Sequence, residues 1–273
     1  MFDELYRIDY HETTAAIEGF IVDFFRSSNS SGVVVGLSGG LDSSVVATLC
    51  VRALSNEKVL GLIMPTDFTP KRDVEDAQAI ASSLGIKTIT VPITPIVDKF
   101  AEQLGVDQND PSAKIPYANL RARVRMSILY FFANIRNMIV AGTGDRSEIL
   151  LGYYTKYGDG GVDFLPIGNI YKTQLRKLCY FLGISESIAQ KPSSPQLYPG
   201  HKAVDELPAD YDVLDPILYA LHDRKLSIDE LVAKGFERRI VEEVWRRFEQ
   251  SHHKRSMPPI GPRPIPIQRI RGL

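Results

Sequence analysis

Val33-Val34-Val35-Gly36-Leu37-Ser38-Gly39-Gly40-Leu41-Asp42-Ser43-Ser44 decides how this chain is read. A short β-branched run suited to a strand gives way to a polar, glycine-rich loop, and an apolar pattern of helical period follows from Val45 to Leu54. Strand, glycine loop and helix together aim backbone N–H groups and a helix N-terminus at one point, an arrangement that receives anions and above all phosphate. A Walker loop carries a lysine immediately before its serine or threonine. Here that neighbourhood reads Leu41-Asp42-Ser43. An aspartate inside a phosphate cradle repels its ligand unless a cation stands between them. The loop therefore reads as a site for a nucleotide phosphate together with Mg²⁺.

Outward from this loop the chain alternates. Upstream, Ile17, Phe20, Ile21, Phe24 and Phe25 recur at helical spacing and predict an amphipathic helix over 10–27, broken by the polar run 28–32. Downstream, 59–64 is a continuous apolar run, as expected for a strand covered on both faces. Thr69-Pro70 reads as an N-cap with proline at the first helical position. Val74, Ala77, Ile80, Ala81 and Leu84 form one face of that helix, Gly85 stops it, and 87–91 reads as a third strand. A second unit repeats the pattern: a helix over 116–135, a strand over 138–141, then the polar loop Gly142-Thr143-Gly144-Asp145-Arg146-Ser147-Glu148. Such alternation with short connections predicts an α/β protein, a Rossmann-like three-layer fold with a mainly parallel sheet and helices on both faces. Ligands of such sheets bind beyond the carboxyl ends of the strands, where both loops fall.

The rest of the chain is less regular. Gly158-Asp159-Gly160-Gly161 is too glycine-rich for a helix or strand and reads as a flexible or substrate-approaching loop. A helix over 172–182 ends at Gly183. The stretch 191–210, with Pro192, Pro195, Pro199 and Pro208, reads as a long lid-like loop. Ser227-Ile228-Asp229-Glu230 is a capping box, and 237–250 forms a helix with Ile240, Val241, Val244, Trp245 and Phe248 on one face. The tail 257–273 is proline-rich, basic and expected to be extended. We therefore expect one domain over 1–273: an N-terminal helix (10–27), an α/β core (about 32–185), the lid-like loop, and extra C-terminal helices with the tail (211–273).

A length of 273 residues suffices for one large α/β domain, and a net charge of −1 argues against a nucleic-acid partner. Cys50 and Cys179 lie far apart within apolar helical patterns and read as core residues in a reducing compartment. No apolar run reaches the ~18 residues of a membrane span, and the acidic start Met1-Phe2-Asp3-Glu4 is unlike a signal peptide. A cytoplasmic protein with no membrane partner is the expectation.

Ser38-Gly39-Gly40-Leu41-Asp42-Ser43 resembles the signature of the ATP pyrophosphatase family, which splits ATP between its α- and β-phosphates. Five further segments resemble ammonia-dependent NAD synthetases, in the order that family has them. They are Asn119-Leu120-Arg121-Ala122-Arg123-Val124-Arg125-Met126, the 142–148 loop, Lys156-Tyr157-Gly158-Asp159-Gly160-Gly161-Val162-Asp163, Pro166-Ile167-Gly168-Asn169-Ile170-Tyr171-Lys172-Thr173-Gln174, and His253-Lys254-Arg255. The resemblance implies that ATP adenylylates the nicotinate carboxylate of deamido-NAD, that pyrophosphate leaves, and that ammonia displaces AMP to form the amide. It makes the enzyme a ligase forming a C–N bond in the last step of NAD biosynthesis. Activating a carboxylate in this way demands charge neutralisation and positioning more than a strong protein nucleophile.

The same resemblance distributes roles. Gly36, Leu37, Ser38, Gly39, Gly40, Leu41, Asp42 and Ser43 would bind ATP with Thr143, Lys172 and Ser193, where Ser193 replaces the family's usual threonine and Ser194 is the alternative. Asp42 and Glu148 would hold Mg²⁺, although Glu148 alone could equally cap the helix that follows it. Arg123, Lys156, Asp163, His253 and Lys254 would bind deamido-NAD, and Asp42, Lys172 and Asp163 would be catalytic. Taken singly, Lys156 and Lys172 would each read as solvated surface lysines. With Leu120, Val124, Ser127, Ile128 and Phe131 on one helix face, Arg123 falls at that face's edge, whereas Arg121 and Arg125 fall well round the cylinder and read as surface residues.

The rival readings fit less well. A tRNA-thiolating enzyme needs reactive cysteines, and a glutamine-using synthetase needs an amidotransferase domain that we do not expect before residue 30 or after 200. A non-catalytic nucleotide sensor has no reason to keep Glu148, Lys172 and the 156–163 loop together. The resemblance also implies a homodimer, with the large apolar residues of the 10–27 and 116–135 helices as its expected contacts.

Overall fold

Four parallel strands form the sheet of the computed structural model, which describes residues 2–263. They are β1 (Gly32–Gly36), β2 (Val59–Ile63), β3 (Lys87–Thr90) and β4 (Met138–Ala141), in the order β3-β2-β1-β4. The two central strands meet in a register that pairs Val33 with Val59 and Gly36 with Leu62. Successive side chains of a strand point to opposite faces, so Val33 and Val35 enter one core and Val34 the other. Val59 and Ile63 join the first core, and Leu60 and Leu62 the second. Each such fully buried aliphatic side chain contributes about 1.5–3 kcal/mol. Beyond β4 the sheet is prolonged by one parallel bridge, Ala141 to Phe164, with Asp163 N donating to Val140 O (3.0 Å) and Gly142 N to Phe164 O (2.9 Å).

On the first face lie α1 (Tyr10–Ser27), α2 (Leu41–Leu54) and α3 (Lys71–Leu84), with α7 (Lys172–Phe181) and α8 (Glu186–Ala189). The other face is covered by α4 (Thr94–Leu104) and α5 (Lys114–Arg136). A third apolar cluster joins Phe2 and Leu5 to α9 (Tyr211–His222), α10 (Ile228–Ala233) and α11 (Arg238–Gln250). Between the two, α6 (Arg146–Leu151) contributes Leu151 to this third cluster. The expected α/β fold with helices on both faces of a parallel sheet and additional C-terminal helices is what forms.

Local chemistry explains most of the boundaries. Asp9 caps α1 by accepting from His11 N and Glu12 N, Gly85 ends α3 in the left-handed conformation (φ 65°), and the Ser227/Glu230 capping box opens α10. Helix α3, however, starts at Lys71 with Pro70 at its N-cap, not at Pro70 after a Thr69 cap. The Thr69 hydroxyl is engaged instead by Thr66, whose N–H donates to it at 2.9 Å. Cys50 and Cys179 are buried as expected, and burial pushes both thiols up to about 12. Residues 191–210 hold only a three-residue 3-10 turn (Ala203–Asp205). Of the tail, Met257 and Ile260 are exposed, and 264–273 lie outside the described residues.

Candidate active site

A cavity opens over the carboxyl ends of β1, β2 and β4, reached by Gly36, Ile63 and Ala141. The β1 loop forms part of its wall. Gly39 takes a φ of +72°, and a Cβ there would lie 2.1 Å from the carbonyl oxygen of Asp73 on α3, so only glycine lets the loop pass so close to that helix. Ser43, in the first turn of α2, folds its hydroxyl back to accept from Ser38 N at 3.2 Å, and Gly40 N donates to Ser38 Oγ at the same distance. Gly36, Leu37, Ser38, Asp42 and Ser43 line the cavity. Gly39, Gly40 and Leu41 do not; Leu41 is buried in the core under α2.

Asp42 leads to the floor. Lys172, the first residue of α7, is fully buried, and its Nζ lies 2.5 Å from Asp42 Oδ1, 2.9 Å from Asp145 Oδ2 and 3.0 Å from Glu148 Oε1. The surface position read for Lys172 taken singly is thus wrong. Three carboxylates face one ammonium, with Lys172 and Asp145 fully buried and Asp42 and Glu148 open to the cavity, and the titration behaviour follows. Burial raises the carboxyls of Asp145 and Glu148, with Lys172 opposing. Burial works to lower Lys172, but Asp145, Asp42 and Glu148 outweigh it and hold the ammonium well above its usual range. Glu148 does cap the helix that follows it. It completes a capping box with Asp145 at the start of α6 and turns its other oxygen to Lys172.

The floor is braced from the C-terminal helices. Asp215 on α9 is fully buried, accepting from Ser147 Oγ at 2.6 Å and from Thr173 N at 2.8 Å, while Ser147 Oγ accepts from Lys172 N at 2.9 Å. One carboxylate thereby ties the N-termini of α6 and α7 together. Burial pushes Asp215 up to about 6 against those hydrogen bonds.

The roof is the 191–210 segment. Ser193, Ser194, Gln196 and Leu197 line the cavity. Lys191 anchors one end, reaching Asp73 (2.5 Å), Asp76 (2.6 Å) and Gly39 O (2.8 Å). At the other end Glu206 accepts from Tyr198 (2.7 Å) and Tyr153 (2.9 Å) and pairs with His201 (3.1 Å). The Ser194 hydroxyl is spent on His201 O, whereas that of Ser193 hydrogen-bonds to no described residue. Thr143 also lines the cavity.

The remaining predicted residues gather outside it. Arg123 is exposed and donates to Lys156 O (3.4 Å), Lys156 Nζ donates to His253 O (2.6 Å), and Lys254 Nζ to Gly152 O and Tyr154 O (2.7 and 2.6 Å). None of these three cations has a carboxylate within 4 Å among the described residues. They form a basic rim along the 152–157 segment. Asp163 belongs to neither group. It sits at the edge of β4, accepting from Val140 N (2.7 Å) and from Tyr130 OH (3.0 Å).

Helix α5 corrects a geometric expectation. Arg125, read as a surface residue, lines the cavity with Ala122, Met126 and Leu129, while Phe131, placed on the packed face, is 59% exposed. Asp145 and Asp215 were not singled out from sequence either. A buried helix N-terminus beside a glycine loop was the available pointer to Asp145; Asp215 had none.

A parallel sheet with a glycine-rich loop after its first strand, and carboxylates converging on it from a second loop, has the architecture of an α/β nucleotide-binding protein. Residues 13–258 match the family model described as NAD synthase, and the chain belongs to that family. It is 49% identical over 271 residues to the NH(3)-dependent NAD(+) synthetase of Hyperthermus butylicus, covering 98% of this chain and 97% of that protein. Among solved structures it is similar to NMN synthetase from Francisella tularensis (TM-score 0.80, 30% identity, 93% of this chain and 99% of that one). It is also similar to the NH3-dependent NAD synthetase from Campylobacter jejuni (TM-score 0.77, 32% identity, 93% and 100%).

Proposed function

We propose that this chain is an ammonia-dependent NAD synthetase. It joins ammonia to deamido-NAD at the expense of ATP, the last step of NAD biosynthesis. In the first half-reaction an oxygen of the nicotinate carboxylate attacks the α-phosphorus of ATP and pyrophosphate leaves. In the second, the nitrogen of ammonia attacks the acyl carbon, and AMP departs with that oxygen. The observation that carries the reading is the buried Lys172 held among Asp42, Asp145 and Glu148 beneath the β1 cradle. Neither half-reaction needs a protein nucleophile; both need charge held still at the phosphates.

The donor set fits Mg²⁺. Asp42, Asp145 and Glu148 each offer a carboxylate oxygen within 4.8 Å of the others, and Asp145 Oδ2 is buried without an aligned hydrogen-bond donor. A hard divalent cation takes such oxygens, and its charge would answer the excess of carboxylate over ammonium. Bound there, it would neutralise phosphate oxygens of ATP. Asp42 and Glu148 are its proposed ligands, with Asp145 added by the geometry. Lys172 contributes a fixed positive charge, and Ser38, Ser43, Thr143 and Ser193 supply hydroxyls toward ATP.

Arg123, Lys156, His253 and Lys254 are the proposed deamido-NAD contacts, supported by a cationic rim that carbonyls hold, with no carboxylate within 4 Å of Arg123, Lys156 or Lys254 among the described residues. Asp163 is retained for the dinucleotide as a residue at the sheet edge, where its carboxylate accepts from Val140 N and Tyr130 OH. Exposed Phe20 on α1 and Phe131 and Ile135 on α5 (46, 59 and 67%) support a homodimer through those helices. Light scattering of the intact protein would sink that part by returning a monomer. A cytoplasmic setting fits the two buried free thiols, and among the described residues no helix is long and apolar enough to cross a membrane.

The decisive experiment incubates the protein with ATP, Mg²⁺, ammonium and deamido-NAD and follows nucleotide products. NAD, AMP and pyrophosphate in equal amounts are expected. Formation of ADP, or a requirement for glutamine, would overturn the assignment. Deamidated NMN in place of deamido-NAD tests the narrower substrate that the Francisella relative's name describes.

A further inference from the structure

Arg125 is a charged residue on the cavity wall with almost no protein partner. It projects from α5, where Ala122, Met126 and Leu129 line the same wall. Its Nε donates to the carbonyl of Met64, just past the end of β2, at 3.2 Å. Neither Nη group donates to a described residue, and no described carboxylate comes within 4 Å. Its helix neighbours are treated differently. Arg121 donates to Leu197 O (3.0 Å) and stacks over Phe68, and Arg123 points outward to Lys156 O.

A guanidinium presents five N–H donors in a rigid plane, and taking it out of water is costly unless acceptors or counter-charge replace the water. Around Arg125 the protein supplies one carbonyl. Burial pulls its guanidinium down to about 10, with the charge of Asp159, which also lines the cavity, opposing. The side chain remains held over the strand ends, fixed by the Met64 bond, with its fork unmatched. The side chain is half-buried and keeps part of its surface open to the cavity, so an anionic group entering there would meet the free fork.

We propose that Arg125 is a substrate-binding residue whose two Nη groups take an anionic oxygen pair of one substrate, a phosphate or a carboxylate, in the forked geometry such groups favour. The inference deepens the two-substrate reading above and rests on it. The shared chemistry has two sources, the phosphates of ATP and the pyrophosphate or carboxylate of deamido-NAD, and measurement with each substrate alone separates them.

Three proteins are compared: the parent, Arg125→Gln, which keeps a donor for Met64 O but no charge, and Arg125→Lys, which keeps the charge but not the fork. Calorimetry is run with Mg·ATP alone and with deamido-NAD alone, beside a melting curve. For Arg125→Gln we expect the affinity for one substrate to fall about 10- to 100-fold, as for a charge-assisted hydrogen-bonded pair. The other affinity and the melting temperature should hardly move, and Arg125→Lys should recover part of the loss. The substrate that weakens identifies the source. Unchanged affinities for both substrates overturn the proposal. So does a common loss for both with a lowered melting temperature, which would make Arg125 only a cap for β2. An Arg125→Lys variant no better than Arg125→Gln also overturns it. Failure of the underlying reading shows separately, as a parent protein that makes no AMP from the two substrates and ammonium.

Discussion

Lys172 and Lys156 both stand beside glycine-rich loops, yet the protein surrounds them in opposite ways. Lys172 is fully buried, its ammonium met by three carboxylates from the ends of β1 and β4, and its backbone is pinned through Ser147 to Asp215. Lys156 keeps contact with solvent and leans on the carbonyl of His253; Arg123 leans in turn on Lys156 O. The floor thus consists of charges on rigid element ends, one ammonium set among three carboxylates. The rim consists of long side chains held by neutral carbonyls, with no carboxylate within 4 Å among the described residues. Charges fixed before the ligand arrives serve the transition state, because they need no reorganisation when charge develops. Exposed cations attract and orient an anionic ligand. Floor substitutions should therefore act on kcat and rim substitutions on KM.

The largest effect is expected at Asp42. Asp42→Asn keeps the shape of the floor but removes one of three carboxylates, and turnover should fall by at least ~100-fold, as when a group stabilising the transition-state charge is lost. The KM for deamido-NAD should change little. Initial rates of AMP release over a range of deamido-NAD concentrations check both statements. Near-normal turnover would take Asp42 out of the metal shell and dissolve the contrast.

Asp215 tests whether the floor depends on its bracing. Asp215→Ala leaves the Ser147 hydroxyl and the Thr173 N–H without their buried acceptor, at a cost of about 2–4 kcal/mol in stability. Chemical denaturation measures it. The milder Asp215→Asn reveals the pH signature. Because burial pushes this carboxyl from 3.8 up to about 6, the folded protein holds the proton more tightly than the unfolded chain between those values. The group's contribution to stability is therefore full at low pH, falls as pH rises through that window, and stays lower above it. Relative to Asp215→Asn, the parent should gain stability on going from neutral pH to pH 4.5. A difference independent of pH would mean that Asp215 titrates normally.

How much of this could be read from the chain depended on the range of the interactions. The β1 cradle was legible because strand, loop and helix are contiguous, and period-2 and helical spacing report their own burial. The 142–148 loop was legible for the same reason. Lys172 meets Asp42 across 130 residues of chain, and no local pattern separates a lysine buried among carboxylates from one in water. Its role came only through resemblance. The sequence places Arg125 on the surface because the helical face is drawn through the large residues, including Phe131, whereas the folded helix turns Arg125 to the cavity. Leu120, Val124 and Ile128 do pack on the sheet, but Ala118 and Ala122, 4% exposed, mark a further buried side: a Cβ on Gly158 would meet the Ala122 Cβ at 2.9 Å. Close approach of a glycine loop favours alanine, and it rotates the buried face toward Arg125.

At the rim a smaller effect is expected. Arg123→Ala should raise the KM for deamido-NAD about tenfold, the ~1–2 kcal/mol that a partly solvated charged hydrogen bond contributes. It should leave the melting temperature and kcat near the parent's, since the residue is exposed and gives up a single long bond to Lys156 O. Loss of kcat without a change in KM would show that this cation acts on the chemistry, and the division between floor and rim would fail at its clearest point.

Salt gives the smallest and most discriminating effect. Exposed charges lose their attraction over a Debye length that shrinks from ~10 Å at 0.1 M to ~3 Å at 1 M salt, whereas charges packed against one another away from water are screened far less. Arg123 and Lys156 have no carboxylate within 4 Å among the described residues whose own screening would compensate, so their pull on an anionic dinucleotide should weaken directly. Between 0.1 and 0.5 M of a non-inhibitory salt, the KM for deamido-NAD should rise about threefold while kcat stays level. In Arg123→Ala the slope should be shallower, because part of the screened charge is already gone. A kcat falling with salt while KM holds would place the salt-sensitive charges on the floor, where burial of Lys172 says they should be sheltered.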